Sequence, residues 1–203
     1  MGHGTTLTAA CLVVCWAAQA SAGRVEITPF AGYTFGGKFE ERDTGEEFNI
    51  TDTSSFGGIV NIDLSDITQL EFFYSRQETE LTSGGLFPTD KLFDMDVEYF
   101  HVGGTYLLGR DEWQPFVVGT LGLTHLSPEP SGVRSLNRFS LGIGGGVKYF
   151  PIEHLGLYLA GRGLITFIDS TLVYTSDEDG STIYFSSDAL WQFQLNAGLI
   201  FAF

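Results

Sequence analysis

The chain has 203 residues and a net charge of −15, with 25 acidic residues against 10 basic ones. An aromatic share of 14% excludes an intrinsically disordered chain, and the lack of a basic footprint excludes a nucleic-acid binder. Past residue 22 no uninterrupted apolar run reaches 18 residues, which excludes helical membrane spans.

The N-terminus reads as a secretory signal. Leu7 to Trp16 is a short apolar stretch, and Ala20-Ser21-Ala22 has the small-x-small form of a signal-peptidase site. Ala18-Gln19-Ala20 is a second candidate. Residues 1–22 are therefore expected to be a signal peptide and 23–203 a single mature domain. Cys11 and Cys15 both lie in the first segment, so the remainder has no thiol, disulfide or cysteine metal site.

From residue 25 onward the chain alternates with a period of two, the mark of strands. The pattern predicts eight of them, over Val25–Phe35, Ser55–Leu64, Thr68–Gln77, Tyr99–Leu108, Gln114–Leu126, Arg138–Phe150, Leu155–Ile168 and Ala189–Phe203. The fourth has two possible parities. The preferred one puts Phe100, Val102, Tyr106 and Leu108 on the outer face and His101 inside, because nine residues from Phe100 suffice for a tilted strand to cross a bilayer. In the sixth, Phe139, Leu141, Ile143 and Val147 alternate with Ser140, Gly142, Gly144, Gly146 and Lys148. In the last, Trp191, Phe193, Leu195, Leu199, Phe201 and Phe203 oppose Gln192, Gln194, Asn196 and Gly198. Connections alternate between long segments and tight turns at Ser65–Ile67, Gly109–Trp113 and Pro151–His154.

Strands with one apolar face and one small or polar face fit an all-β, transmembrane, antiparallel up-and-down barrel. The expected layout is eight strands, four long extracellular loops and three short periplasmic turns. Trp113, Tyr149 and Phe150 near the turns, and Tyr33, Phe35, Tyr74 and Phe167 near the loops, are expected to form aromatic girdles.

With these segments and the terminal aromatic in view, the chain resembles the eight-stranded OmpA-like or OmpX-like outer-membrane barrels of Gram-negative bacteria. The resemblance covers nearly all of residues 23–203. It implies a bacterial outer-membrane location, contact with lipid and lipopolysaccharide, and a terminal Phe203 that resembles the signal read by the barrel-assembly machinery. Such barrels share architecture while differing in activity.

Eight strands enclose a space that side chains can fill. Parity places Glu26, Asp63, Glu71, Arg138, Lys148 and Arg162 inside, three acids and three bases. Their balance favours a paired network closing the lumen over a conduit, because an unpaired buried charge is costly. Glu26, Asp63, Glu71 and Lys148 are expected toward the periplasmic end, with Arg162 nearer the middle.

Some eight-stranded outer-membrane barrels modify lipid A, among them deacylases with a His-x-Ser pair on one strand aligned with a carboxylate, a motif that the residues around His125 and Ser127 do not otherwise match. His125 and Ser127 share one strand face and Glu129 follows in the same parity, but Pro128 and Pro130 are expected to break that strand at once. No enzyme activity and no cofactor are therefore expected. His3, His101, His125 and His154 lack metal-ligand spacing, and Asp177-Glu178-Asp179-Gly180 reads as an Asp-Gly turn. The long loops hold 18 acids against four bases. The expectation from this charge is a solvated acidic rim. A sharper one is a Ca²⁺ or Mg²⁺ contact to lipopolysaccharide through Glu40, Glu41, Asp43, Glu46, Glu47, Asp177, Glu178 and Asp179. The function expected is that of a monomeric structural or surface-interaction protein whose loops meet a ligand.

Overall fold

The structure, a computed structural model, describes residues 23–36, 38–40, 47–50, 52–83, 91–128, 136–167, 172–175, 182–185 and 189–203. Every regular element in them is a strand. Eight strands, β1 (Val25–Phe35), β4 (Thr53–Asp63), β5 (Thr68–Ser83), β6 (Lys91–Leu107), β7 (Trp113–Pro128), β8 (Leu136–Ile152), β9 (Leu155–Phe167) and β12 (Ala189–Ala202), pair antiparallel in that order. The ring closes where β1 pairs with β12. At the seam the two termini exchange backbone bonds, with Val25 N donating to Phe203 O at 3.1 Å and Phe203 N to Val25 O at 2.9 Å. A closed barrel leaves no unpaired edge.

Three tight turns lie at the same end as Val25 and Phe203. Leu64 N and Ser65 N both donate to Thr68 O, closing the first turn. The opposite end carries the long connections. Two of these contain paired backbone: β2 (Lys38–Glu40) with β3 (Glu47–Ile50), which extends onto β5, and β10 (Leu172–Thr175) with β11 (Thr182–Phe185).

The outer wall is apolar and the interior largely polar. On β12, Trp191, Phe193, Leu195, Leu199 and Phe201 are exposed while Gln192, Gln194 and Asn196 are buried. On β6, Phe100, Val102 and Tyr106 face out and His101 is buried. Ile143, 70% exposed in mid-strand, marks the lipid-facing side of β8. Such a wall has nothing to bury against within the chain, so it is stable only in an apolar solvent.

Two features depart from the sequence expectation. The strands β5 and β6 run well past Gln77 and Tyr99, staying in register to Glu80 and Asp94. Charged outward residues mark where lipid ends, while strand pairing continues into water. Phe150 lies inside rather than in a girdle, 8% exposed, with the Arg24 guanidinium 4.4 Å from its ring centroid. It shares the even parity of Lys148, and that parity decides its side. Trp113 and Tyr149 do stack on the outer wall at the turn end, with ring centroids 4.4 Å apart.

Candidate functional site

Two constellations of polar side chains stand out, one inside the barrel and one on its outer rim. The interior one is built from every barrel strand. Lys148 Nζ on β8 donates to Glu26 Oε2 on β1 at 2.5 Å and to Gln69 Oε1 on β5 at 2.7 Å. Arg162 Nη2 on β9 meets Glu71 Oε1 on β5 at 2.6 Å. The other Glu71 oxygen accepts from Thr105 at 2.7 Å and from Asn61 at 3.4 Å. Both ions of each pair are closed to solvent.

Apolar rings insulate these pairs. Phe30 and Phe73 stack at 5.7 Å, the Arg162 guanidinium lies 4.1 Å from the Phe73 centroid, and Phe116 stacks on Tyr158 at 5.5 Å. His101 sits above them, its Nδ1 3.0 Å from Thr120 Oγ1 and its Nε2 2.8 Å from Ser140 Oγ. A Cβ at position 142 would stand 2.5 Å from Thr120 Oγ1 and 3.1 Å from His101 Nδ1, so glycine makes the space this imidazole occupies. Further toward the loop end, Gln194 Nε2 is within 2.8–3.0 Å of Thr34, Ser55 and Ser75 hydroxyls, and Tyr99 donates to Gln192.

Five of the six charged residues assigned inward are joined through amides: Gln69 bonds both Lys148 and Asp63, and Asn61 bonds both Lys148 and Glu71. Glu26 joins Lys148, and Glu71, which stands in one register row with Asn61 and Glu26, joins Arg162. Asp63 is at the turn-end mouth, bonded to Arg110 at 2.5 Å and to Gln69 at 2.7 Å. Arg110, on a tight turn, was not singled out by parity because turns have none. Arg138 is half-buried on β8, opposite Thr124 in register and apart from both pairs.

The rim constellation spans β5 to β8 on the outward face, at the loop end. Register places Arg76, Glu98, His125 and Asn137 in one row and Asp96 beside Ser127 in the next. Arg76 Nη2 pairs with Asp96 Oδ2 at 2.8 Å, and Tyr74 donates to Glu98 Oε1 at 2.7 Å. Ser127 Oγ lies 2.9 Å from His125 Nε2, and His125 Nδ1 lies 2.6 Å from Asn137 Oδ1. Here β7 continues two residues past Leu126 and ends at Pro128, opposite Met95, where the prolines were expected to break it. Glu129 lies outside the described residues; the group that meets the imidazole is Asn137, brought there by the β7–β8 register. Sequence spacing alone gave no signal for it, because the loop joining the two strands leaves their register open.

Of the acidic residues considered for a cation contact, Glu40 and Glu47 face each other in the β2–β3 backbone register. Glu41, Asp43, Glu46, Asp177, Glu178 and Asp179 lie outside the described residues, as does the signal segment. Among the described residues, no three His, Cys, Asp or Glu side chains converge as a metal site would require.

A closed eight-stranded antiparallel barrel, apolar outside and polar within, defines a transmembrane barrel of the bacterial outer membrane. The chain belongs to the family described as the outer membrane protein beta-barrel domain, whose model matches residues 6–201. Among solved structures it is similar to OprG of Pseudomonas aeruginosa, with 14% identity, 90% of this chain and 96% of that one covered and a TM-score of 0.60. It is also similar to Neisserial surface protein A, with 12% identity, 89% and 97% covered and a TM-score of 0.58. The N-terminal barrel domain of Pseudomonas aeruginosa OprF gives 17% identity, 89% and 99% covered and a TM-score of 0.52. At these identities the likeness is one of fold. No curated protein matches the chain significantly.

Proposed function

We propose that the chain is a monomeric structural or surface-interaction barrel with a closed lumen, exported after cleavage of residues 1–22 and inserted through the barrel-assembly machinery. One observation carries the closed lumen: two fully buried ion pairs, Lys148–Glu26 and Arg162–Glu71, each bridge strands across the interior. A permeating ion would have to part them, and separating a buried pair exposes each charge to a low-dielectric surround. A closed wall leaves the loops and the outer rim as the surfaces through which the protein acts. Lipopolysaccharide, bridged to the acidic loops by divalent cations, is the partner this charge distribution favours. Conductance of the purified protein in planar bilayers tests the closed state. A baseline without discrete steps is expected; steady open currents would replace this reading with that of a narrow channel.

A further inference from the structure

We propose that the outward groove between the first two tight turns binds the head group of phosphatidylethanolamine, with its phosphate on Arg110 and its ammonium beside Asp66. This names a lipid partner for the barrel described above and rests on that barrel crossing the membrane with its turns on the periplasmic side. It holds whether the lumen is closed or open.

Two neighbouring turns build the groove. Thr68 faces Tyr106 in the β5–β6 register, and Leu107 N donates to Ile67 O at 2.8 Å. The turn after β4 and the turn after β6 therefore lie side by side. Asp66 and Ile67 line the groove from the first turn, Arg110 from the second, and Tyr106 and Leu108 from the strand end between them. Its volume, about 310 Å³, is at the lower limit of small-molecule sites, which run from roughly 300 to 1,000 Å³. That suits a head group and not a whole lipid. The acyl chains would continue along the wall over Tyr106 and Leu108, both exposed.

Arg110 is only half committed within the chain. Its Nη2 donates to Asp63 Oδ2 at 2.5 Å and to the Ser65 carbonyl at 3.4 Å. Nη1 and Nε have no partner among the described residues, and the side chain is 36% exposed. Asp63 thus anchors the guanidinium while its other donors remain free for phosphate oxygens, which form charge-assisted bonds with it. Asp66 is exposed and has no hydrogen bond or ion pair among the described residues. A free carboxylate and a half-free guanidinium on one groove complement a ligand that carries both signs of charge.

The surrounding charge selects between lipids. Asp111 and Glu112 follow Arg110 on its own turn, both exposed, and Asp66 lies across the groove. With Asp63, four carboxylates surround a single guanidinium. Phosphatidylglycerol brings a phosphate with no cation, so these acids oppose it. Phosphatidylethanolamine brings its own ammonium, which offsets them and can donate to Asp66.

Depth agrees with this choice. Leu108 N bonds Pro115 O, which puts the groove beside Trp113, and Trp113 stacks on Tyr149 in the turn-end girdle. Aromatic belts mark the head-group level. Short turns of such barrels face the periplasm, and the leaflet there is built of glycerophospholipids.

The test uses the protein purified from outer membranes into detergent and mixed with equal amounts of phosphatidylethanolamine and phosphatidylglycerol of identical acyl chains. Native mass spectrometry counts the lipid retained. The parent should hold phosphatidylethanolamine in about fivefold preference, the upper end for one exposed ion pair. Phosphatidylcholine, whose methylated nitrogen cannot donate to Asp66, should be held less well than phosphatidylethanolamine. Asp66→Asn should bring the preference close to one, and Arg110→Gln should lower retention of both lipids. Glu153→Gln, which removes an exposed acid from the third turn, should leave the preference unchanged. Gel mobility before and after heating shows that each barrel is folded. If Arg110→Gln does not fold, Asp66→Asn decides alone, since Asp66 has no partner to lose. Equal retention of the two lipids by the parent overturns the proposal. So does a preference that survives in Asp66→Asn, or one that falls as far in Glu153→Gln. A conducting lumen would overturn the closed-barrel reading and leave these ratios as they are.

Discussion

Arg162 and Glu71 meet at 2.6 Å inside the barrel, on strands β9 and β5, with side chains 0% and 1% exposed. Neither could be buried charged without the other, and the rest of the carboxylate is satisfied by Thr105 and Asn61. Removing one partner should therefore do more harm than removing both. Arg162→Met is expected to destabilise the barrel by about 3–5 kcal/mol, the cost of an uncompensated buried charge. The double variant Arg162→Met with Glu71→Met should recover most of that loss. Urea titration in lipid vesicles gives both values, and a double variant as unstable as the sum of its singles would show that the pair is not coupled.

The outer wall makes the reverse demand. Leu195 on β12 and Ile143 on β8 are exposed in mid-strand. Arginine at either position places a charge in hydrocarbon, at about 2–4 kcal/mol near the bilayer midplane. The same titration should show that loss for Leu195→Arg and for Ile143→Arg. A neutral result at Leu195 would mean that β12 turns its odd residues inward.

Parity was legible in the sequence because a one-residue slip moves every side chain to the wrong face. The split between Leu195 and Gln194 followed from that alone, whereas the inward turn of His101 also needed the length argument that nine residues from Phe100 cross a bilayer. Register was not legible. Which acid meets Arg162, and that Asn137 stands beside His125, depend on the offset between strands joined by long loops, and no local signal sets that offset. Strand ends were misjudged for a related reason. Arg76, Glu78, Asp96 and Glu98 signal water on the outward face, yet their backbones remain paired. The interior rings of Phe30, Phe73 and Phe116 were also missed, since a lumen expected to be polar gave no reason to look for them.

The acidic loops offer a calorimetric test. Carboxylate oxygens are the natural ligands of Ca²⁺, and an uncompensated acidic rim among anionic head groups is repelled with a strength that falls as salt rises. Titrating the purified barrel with Ca²⁺ should give saturable heat at millimolar concentration. That heat should vanish when Glu40, Glu41, Asp43, Glu46, Glu47, Asp177, Glu178 and Asp179 are replaced by Gln or Asn. Equal heats in the two proteins would leave a solvated rim with no bound cation.

The C-terminal residue separates stability from assembly. The Phe203 side chain is 74% exposed, but its backbone exchanges two hydrogen bonds with Val25 at the seam where β12 meets β1. Deleting the residue removes both the ring and the closure, so its effects cannot be assigned to either. Phe203→Ala keeps the backbone bonds and removes only the ring. Since that ring touches lipid rather than core, the purified variant should unfold within about 1 kcal/mol of the parent, as substitutions away from packed features do. If the terminal aromatic is instead read during insertion, the variant should reach the outer membrane in sharply reduced amount and leave degradation fragments in the periplasm. Quantifying surface protein in cells alongside urea unfolding of the purified barrel distinguishes the two roles. Normal surface levels of Phe203→Ala would remove the assembly role.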